Sequence, residues 1–176
     1  DRSQVLAVRG NLGYKTIQDI MGAEGPTLTF TAQAPNPLDI ENTVLGWMLL
    51  ADNLNLPLEI KRVAETGTSV QILDTERGNM NANQWGGGAW FLLGETRPDW
   101  FSENYIIPVL DLSLTGSRAI PNAALESLDI PHYSELFTPE QVEQWQGMVE
   151  GTRNLNRPLW LPPGTPDDVM QILIKA

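Results

Sequence analysis

The sequence predicts an α/β fold in which a mainly parallel sheet is flanked by helices. Short apolar runs of strand character alternate with segments of helical spacing, the order expected of parallel strands joined by crossover helices. Helix punctuation goes with that alternation: Thr16, Asn36 and Thr66-Gly67-Thr68-Ser69 stand at helix starts and Gly78 just past a helix end. At 176 residues the chain can form one or two compact units, and a domain of this size buries about 70% of the surface its unfolded chain exposes.

Val5–Arg9 reads as a short buried strand and Gly10–Tyr14 as a loop. Thr16 then caps a short helix carrying Ile17, Ile20 and Met21, with Asp19 at its third position. Gly25-Pro26 turns the chain into the alternating strand from Leu28 to Thr31. Asn36 has the character of an N-cap, with Pro37 at the first helical position, and the following helix places Leu38, Val44/Leu45, Met48/Leu49 and Ala51 at helical spacing. Pro57–Val63 is the next strand. The helix opened by Thr66–Ser69 bears Val70, Ile72 and Leu73 and ends at Gly78.

Asn79–Gln84 is a polar strand candidate leading into the Gly-rich stretch Trp85–Trp90. Asp99–Asn104 is a helix or turn. Tyr105–Leu112 is an apolar strand whose Pro108 belongs at an edge or a crossing point. From Thr115 to Phe137 the texture is short and turn-rich, so Ser113–Ser117 marks a boundary. Thr138-Pro139-Glu140-Gln141 is a capping box heading a helix with Val142, Trp145 and Met148/Val149 on one face. Pro158–Pro162 predicts a short strand, and a last helix from Thr165 points Val169, Ile172 and Leu173 inward.

Twenty-two acidic residues against eleven basic ones give a net charge of −11. That balance argues against nucleic acid as a partner, which demands clustered Lys and Arg. It also means that an anion must be held locally, by backbone N–H groups or a single Arg. Without cysteine there is no disulfide, thiolate nucleophile or Cys-ligated zinc. No apolar run approaches the roughly 20 residues of a membrane span. The chain opens directly on a strand-like run with no leader, so it is expected to begin within a longer protein.

Thr66-Gly67-Thr68-Ser69 lies between a strand and a helix, where free N–H groups beside hydroxyls suit carboxylate or phosphate oxygens. The alternative is a self-capped helix start. Gln33-Ala34-Pro35-Asn36 is the equivalent turn one unit earlier, and in open α/β sheets ligands gather at the carboxyl ends of strands. Trp85–Trp90 offers glycines for close backbone approach and an indole face, or merely a turn between packed Trp rings. It matches neither a dinucleotide fingerprint nor a P-loop. His132, the one histidine, has no Gly-x-Ser-x-Gly elbow to serve. Asp167 and Asp168 suit the first turn of a helix, and Glu135, Glu140 and Glu143 a solvated face; no catalytic residue, metal ligand or cofactor is predicted.

Four stretches, in order, resemble the periplasmic solute receptors of tripartite tricarboxylate transporters. Val8–Ile20 is similar to the family's crossover strand and the helix start after it. Glu65–Ser69 with Glu76–Ala82, then Arg97–Phe101 with the strand through Leu112, and finally Arg157–Val169 resemble three later segments. The resemblance implies a lobe of the two-lobed type II periplasmic binding fold. Residues 5–112 would be the ligand-binding lobe and 113–176 a return segment of the other lobe. It further implies an extracytoplasmic location, a small carboxylate or related solute held between lobes, and membrane transporter subunits as partners, without membrane insertion.

Residue by residue, the likeness implicates Thr66, Gly67, Thr68 and Ser69, then Ala34, Pro35 and Asn36, with Tyr14 and the Gln84–Gly86 region including Trp85 and Gly86. The chain departs from the family pattern in having Gln33-Ala34-Pro35-Asn36-Pro37 for a Gly-rich, hydroxyl-bearing loop, and Glu65 beside the helix start. A neutral or amino-bearing ligand is therefore an alternative to a carboxylate. Enzymes on the same scaffold, a small hydrolase using His132, and a sensor module are the rival functions.

Overall fold

Val5, Leu6, Ala7 and Val8 are each at most 2% exposed, so strand β1 (Gln4–Arg9) is covered on both faces. In the computed structural model, which describes residues 3–32, 44–62, 67–114, 128–156 and 161–175, β1 lies between β4 (Ala82–Gly86) and β5 (Ile106–Asp111). Both pairings are antiparallel: Val5 faces Trp85 on one side and Asp111 on the other. β2 (Leu28–Ala32) and β3 (Leu58–Arg62) form a parallel pair. Pro108 sits opposite Ala7 on β5, at an edge of the three-stranded sheet, where a missing N–H donor costs no ladder bond.

The expected mainly parallel sheet is thus corrected: the three-stranded sheet is antiparallel throughout. A strand, helix and strand in succession still make parallel strands within each unit. β2 and β3 are parallel across α2 (Val44–Leu54), and β4 and β5 share a direction because each opposes β1. What the alternation could not reveal is that β1, the first strand of the chain, inserts between β4 and β5 and turns both of their ladders antiparallel. Helices α4 (Gly87–Thr96) and α5 (Pro98–Ser102) make the crossover between them.

Alternate residues of β1 feed two cores. Leu6 and Val8 face one that gathers Leu28, Phe30, Trp47, Leu50, Leu54, Leu110 and Leu112, with Trp145 and Val149 from α6 (Pro139–Asn156). Phe30 and Trp47 stack there with ring centroids 4.1 Å apart. Val5 and Ala7 face the other, built from Met80, Trp85, Trp90, Leu93, Trp100 and Ile106. Each fully buried large side chain contributes about 1.5–3 kcal/mol.

Asn81 knits the two sheets. Its N–H donates to the Thr29 carbonyl at 2.8 Å, its own carbonyl accepts from Arg9 N–H at 2.7 Å, and its carboxamide accepts from Thr29 N–H at 2.6 Å and donates to the Thr27 carbonyl at 3.0 Å. At the far end of β1, the Gly10 N–H donates to the Tyr105 carbonyl at 3.0 Å, and a β-carbon at Gly10 would collide with the Asn104 carbonyl.

Several inward faces differ from expectation. α3 (Thr68–Arg77) buries Gln71, Asp74 and Thr75, while Leu73 is 41% exposed. α2 buries Trp47, Leu50 and Leu54, and Leu45 and Met48 face outward. In α7 (Asp167–Lys175) Val169 and Ile172 are exposed. In α2 more than one stripe is apolar, so spacing alone could not choose between them; in α3 the buried face is polar. Gly87–Thr96, expected as part of a turn, is helical because its glycines occupy only the start, ahead of the apolar run Ala89–Leu93. Of the strand expected over Pro158–Pro162, residues 157–160 lie outside the described residues, and Leu161 and Pro162 are not strand.

Candidate functional site

A tight turn joins the end of α3 to β4, and α4 starts at the edge where β4 ends. α3 closes on Gly78, whose φ of 74° is left-handed and whose N–H returns to the Asp74 and Thr75 carbonyls. Asn79 N–H then donates to the Asp74 carbonyl at 2.9 Å, and the chain reverses into β4. Ile72 packs against the core that holds Met80 and Trp85.

Both α3 and α4 begin on glycine. Gly67 precedes α3 in an extended conformation, and Gly86 precedes α4; neither start has a side-chain cap. Val70 and Gln71 N–H donate to the Gly67 carbonyl at 3.0 and 3.1 Å, whereas the N–H groups of Thr68 and Ser69 have no acceptor among the described residues. Thr68 is half-buried and Ser69 exposed, which leaves the first turn open to solvent. At α4 the first N–H, that of Gly87, donates to the Ser3 carbonyl at 2.8 Å.

The start of β1 and the end of β5 complete the edge. Gly86 pairs with Gln4. Gln4 N–H donates to Ser113 Oγ at 3.1 Å, and Ser113 N–H donates to Asp111 Oδ1 at 2.8 Å. His132 bridges onto the same place: its Nε2 lies 2.7 Å from the Ser113 carbonyl and its Nδ1 2.7 Å from Ser134 Oγ. A carbonyl only accepts, so Nε2 carries the proton and Nδ1 accepts from Ser134. Reading the sequence alone does not place Ser3, Gln4, Asp111 or Ser113 here. These polar residues belong to strands legible only through their apolar positions, and nothing local in the sequence signals their convergence.

The site residues expected from sequence divide three ways. Gly67, Thr68 and Ser69 stand at the start of α3, and Gly86 stands at the start of α4. Trp85 reaches the edge only through its backbone, because its indole is 1% exposed within the core. Tyr14 lies elsewhere: it is 7% exposed, and its hydroxyl donates to the Pro26 carbonyl at 3.0 Å near the start of β2, the opposite end. Thr66, Ala34, Pro35 and Asn36 lie outside the described residues. Gln84, on the other face of β4 from Trp85, is 1% exposed, and neither polar atom of its carboxamide has a partner.

Among the described residues no group of three His, Asp or Glu side chains could hold a metal ion, and no helix is long and apolar enough to cross a membrane. The ion pair of Arg97 with Glu76, at 3.0 Å, lies at the other end of α3. The N–H groups of Thr68 and Ser69 are neutral donors, whereas the Asp111 carboxylate stands beside the start of β1.

No protein-family model matches the sequence, and neither does any curated protein. Among solved structures, a TctC solute-binding protein from Polaromonas is similar over 87% of this chain and 52% of its own, with 11% identity and a TM-score of 0.47. The holo arginine-binding protein of T. maritima is similar over 99% of this chain and 58% of its own, at 14% identity and a TM-score of 0.33. An ancestral arginine-binding protein bound to arginine gives 13% identity and 0.39, over 86% and 54%. The chain therefore spans little more than half the length of each.

Proposed function

We propose that the chain is the ligand-binding lobe of an extracytoplasmic solute-binding protein, and that it captures a small carboxylate-type solute for a tripartite tricarboxylate-type transporter. In this reading residues 5–112 form the lobe and 113–176 return to a second lobe, and no covalent step or cofactor is involved. The observation that carries it is the contrast between helix starts. α1 (Ile17–Ile20) and α6 have reciprocal capping boxes through Thr16 with Asp19 and Thr138 with Gln141. α3 and α4 have glycine and no side-chain cap, and α5 starts on Arg97 without one. Free N–H groups at a helix start favour a negative charge, and a hydrogen bond to a charged group contributes about 1.5–3 kcal/mol. The order of the four sequence segments supports the same reading.

The test begins with thermal shifts of the intact protein against mono-, di- and tricarboxylates and against amino acids. Calorimetry on the strongest carboxylate should then show Thr68→Ala with Ser69→Ala weakening binding at least tenfold, about 1.4 kcal/mol. Unchanged affinity removes the Thr68 and Ser69 hydroxyls from the site. Stabilisation by amino acids alone would replace the carboxylate with an amino-bearing solute.

One contact favours the rival hydrolase reading, the 2.7 Å approach of Ser134 Oγ to His132 Nδ1. The pair is better explained as a cap. Ser134 N–H also donates to Nδ1 at 3.3 Å, Glu135 accepts from His132 N–H at 2.9 Å, and Nε2 meets a backbone carbonyl where a triad would place a carboxylate.

A further inference from the structure

Arg9 and Asn83 stand on the same face of the β1–β4 ladder. Ala7 is opposite Asn83 and Val8 opposite Ala82, so Arg9, two residues beyond Ala7, is the diagonal neighbour of Asn83. Diagonal pairs lie about 7–8 Å apart, within reach of long side chains. The two line a cavity of about 10 Å³ together with Thr75, Trp85 and Ile106. Arg9 Nε and Asn83 Nδ2 are both buried donors with no acceptor, and Asn83 is only 4% exposed. Thr75 Oγ1 gives its proton to the Gln71 carbonyl at 2.7 Å, which leaves its lone pairs able to accept.

We infer that this cavity is a binding site for a single water molecule, which accepts from Arg9 Nε and Asn83 Nδ2 and donates to Thr75 Oγ1. One water needs about 10–15 Å³ of such space and makes about three hydrogen bonds; the volume and the two donors plus one acceptor meet both conditions. The water closes a ring of contacts, because the Arg9 guanidinium lies 4.7 Å from the centroid of Tyr105, whose hydroxyl donates to the Thr75 carbonyl at 3.2 Å. It thereby fastens the last turn of α3 to the sheet, and so fixes the helix whose other end opens at the candidate site. The inference stands independently of what that site binds.

A crystal structure of the unmodified protein, grown with bromide as the halide, tests the occupant directly. Density bonded to both nitrogens and without anomalous signal supports the water; no density, or a bromide peak, overturns it. Asn83→Leu gives a second test whose sign decides. If a water is held, the variant either removes one of its two donors or expels it and leaves Arg9 Nε without an acceptor. The melting temperature should then fall by about 2–4 °C, and amide exchange should quicken over Asp74–Arg77. A dry cavity predicts the reverse, since the change removes an unpaired buried amide. An unchanged or raised melting temperature therefore overturns the inference.

Discussion

Asn81→Ala should reveal how strongly the two sheets are joined. The variant keeps both backbone bonds of residue 81, to Thr29 and Arg9, and loses the two made by the carboxamide. Thr29 is 7% exposed, so its N–H would be left buried without an acceptor, at a cost of about 1–3 kcal/mol. Thr27 is exposed and water can replace the lost donor to its carbonyl, which limits that loss to about 0.5–1 kcal/mol. Together the expected destabilisation is about 1.5–4 kcal/mol. With an m-value of about 2 kcal/mol/M in urea this moves the unfolding midpoint down by about 1–2 M. Asn81→Asp keeps the acceptor for Thr29 but turns a carboxylate oxygen toward the Thr27 carbonyl, so its loss should be smaller, about 1 kcal/mol. Urea unfolding of the three proteins decides the matter. An Ala variant within about 0.5 kcal/mol of the parent, or an Asp variant as damaged as the Ala one, would show that the bond to Thr29 does not carry most of the loss and would refute the reasoning.

His132→Ala should lower stability by about 1–2 kcal/mol through loss of the Ser113 and Ser134 bonds while leaving ligand affinity unchanged. Any hydrolytic turnover abolished by that change would instead establish the rival reading. The backbone N–H groups of Lys15 and Thr16 hold the Asp19 carboxyl below its ordinary value of 3.8. A lowered native pKa contributes stability that is present above the unfolded value and lost as pH falls through the native one. Asp19→Asn should accordingly melt earlier than the parent at neutral pH and converge with it in acid below 3.8; a gap that persists in acid would mean that the charge is not what the capping box uses.

How much is legible in the sequence follows from what each signal reports. Thr16 with Asp19 and Thr138 with Gln141 announce their helices because a capping box is closed within four residues, and Gly78 announces the end of α3 for the same local reason. Pro108 is readable as an edge residue from its missing N–H alone. Strand direction is not, because β1 pairs with residues far along the chain, Val5 with Trp85 and Asp111. The polar inner face of α3 escapes periodicity since Asp74 is buried against the Asn79 turn and Thr75 satisfies its hydroxyl on the Gln71 carbonyl. At the site, the helix start at Gly67 can be read from composition. The convergence of Ser3, Gln4, Asp111 and Ser113 depends on long-range register, which no short window contains.

The helix starts also set the energetics of the proposed binding. A side-chain N-cap stabilises a helix by about 0.5–2 kcal/mol relative to an uncapped residue, whereas glycine falls only a few tenths short of the best caps. α3 therefore loses little by beginning on Gly67, and the N–H groups of Thr68 and Ser69 stay open where a Ser or Asp side chain at the cap would have competed for them. A bound carboxylate would then take the place of the absent cap. It would gain the charge-assisted bonds without first breaking an internal one, and without the basic side chains that a chain of net charge −11 has few of. Selectivity in such a site comes from shape and donor placement rather than long-range attraction, since the overall field of the protein repels anions. Binding there should consequently depend far less on ionic strength than binding to a lysine or arginine cluster would.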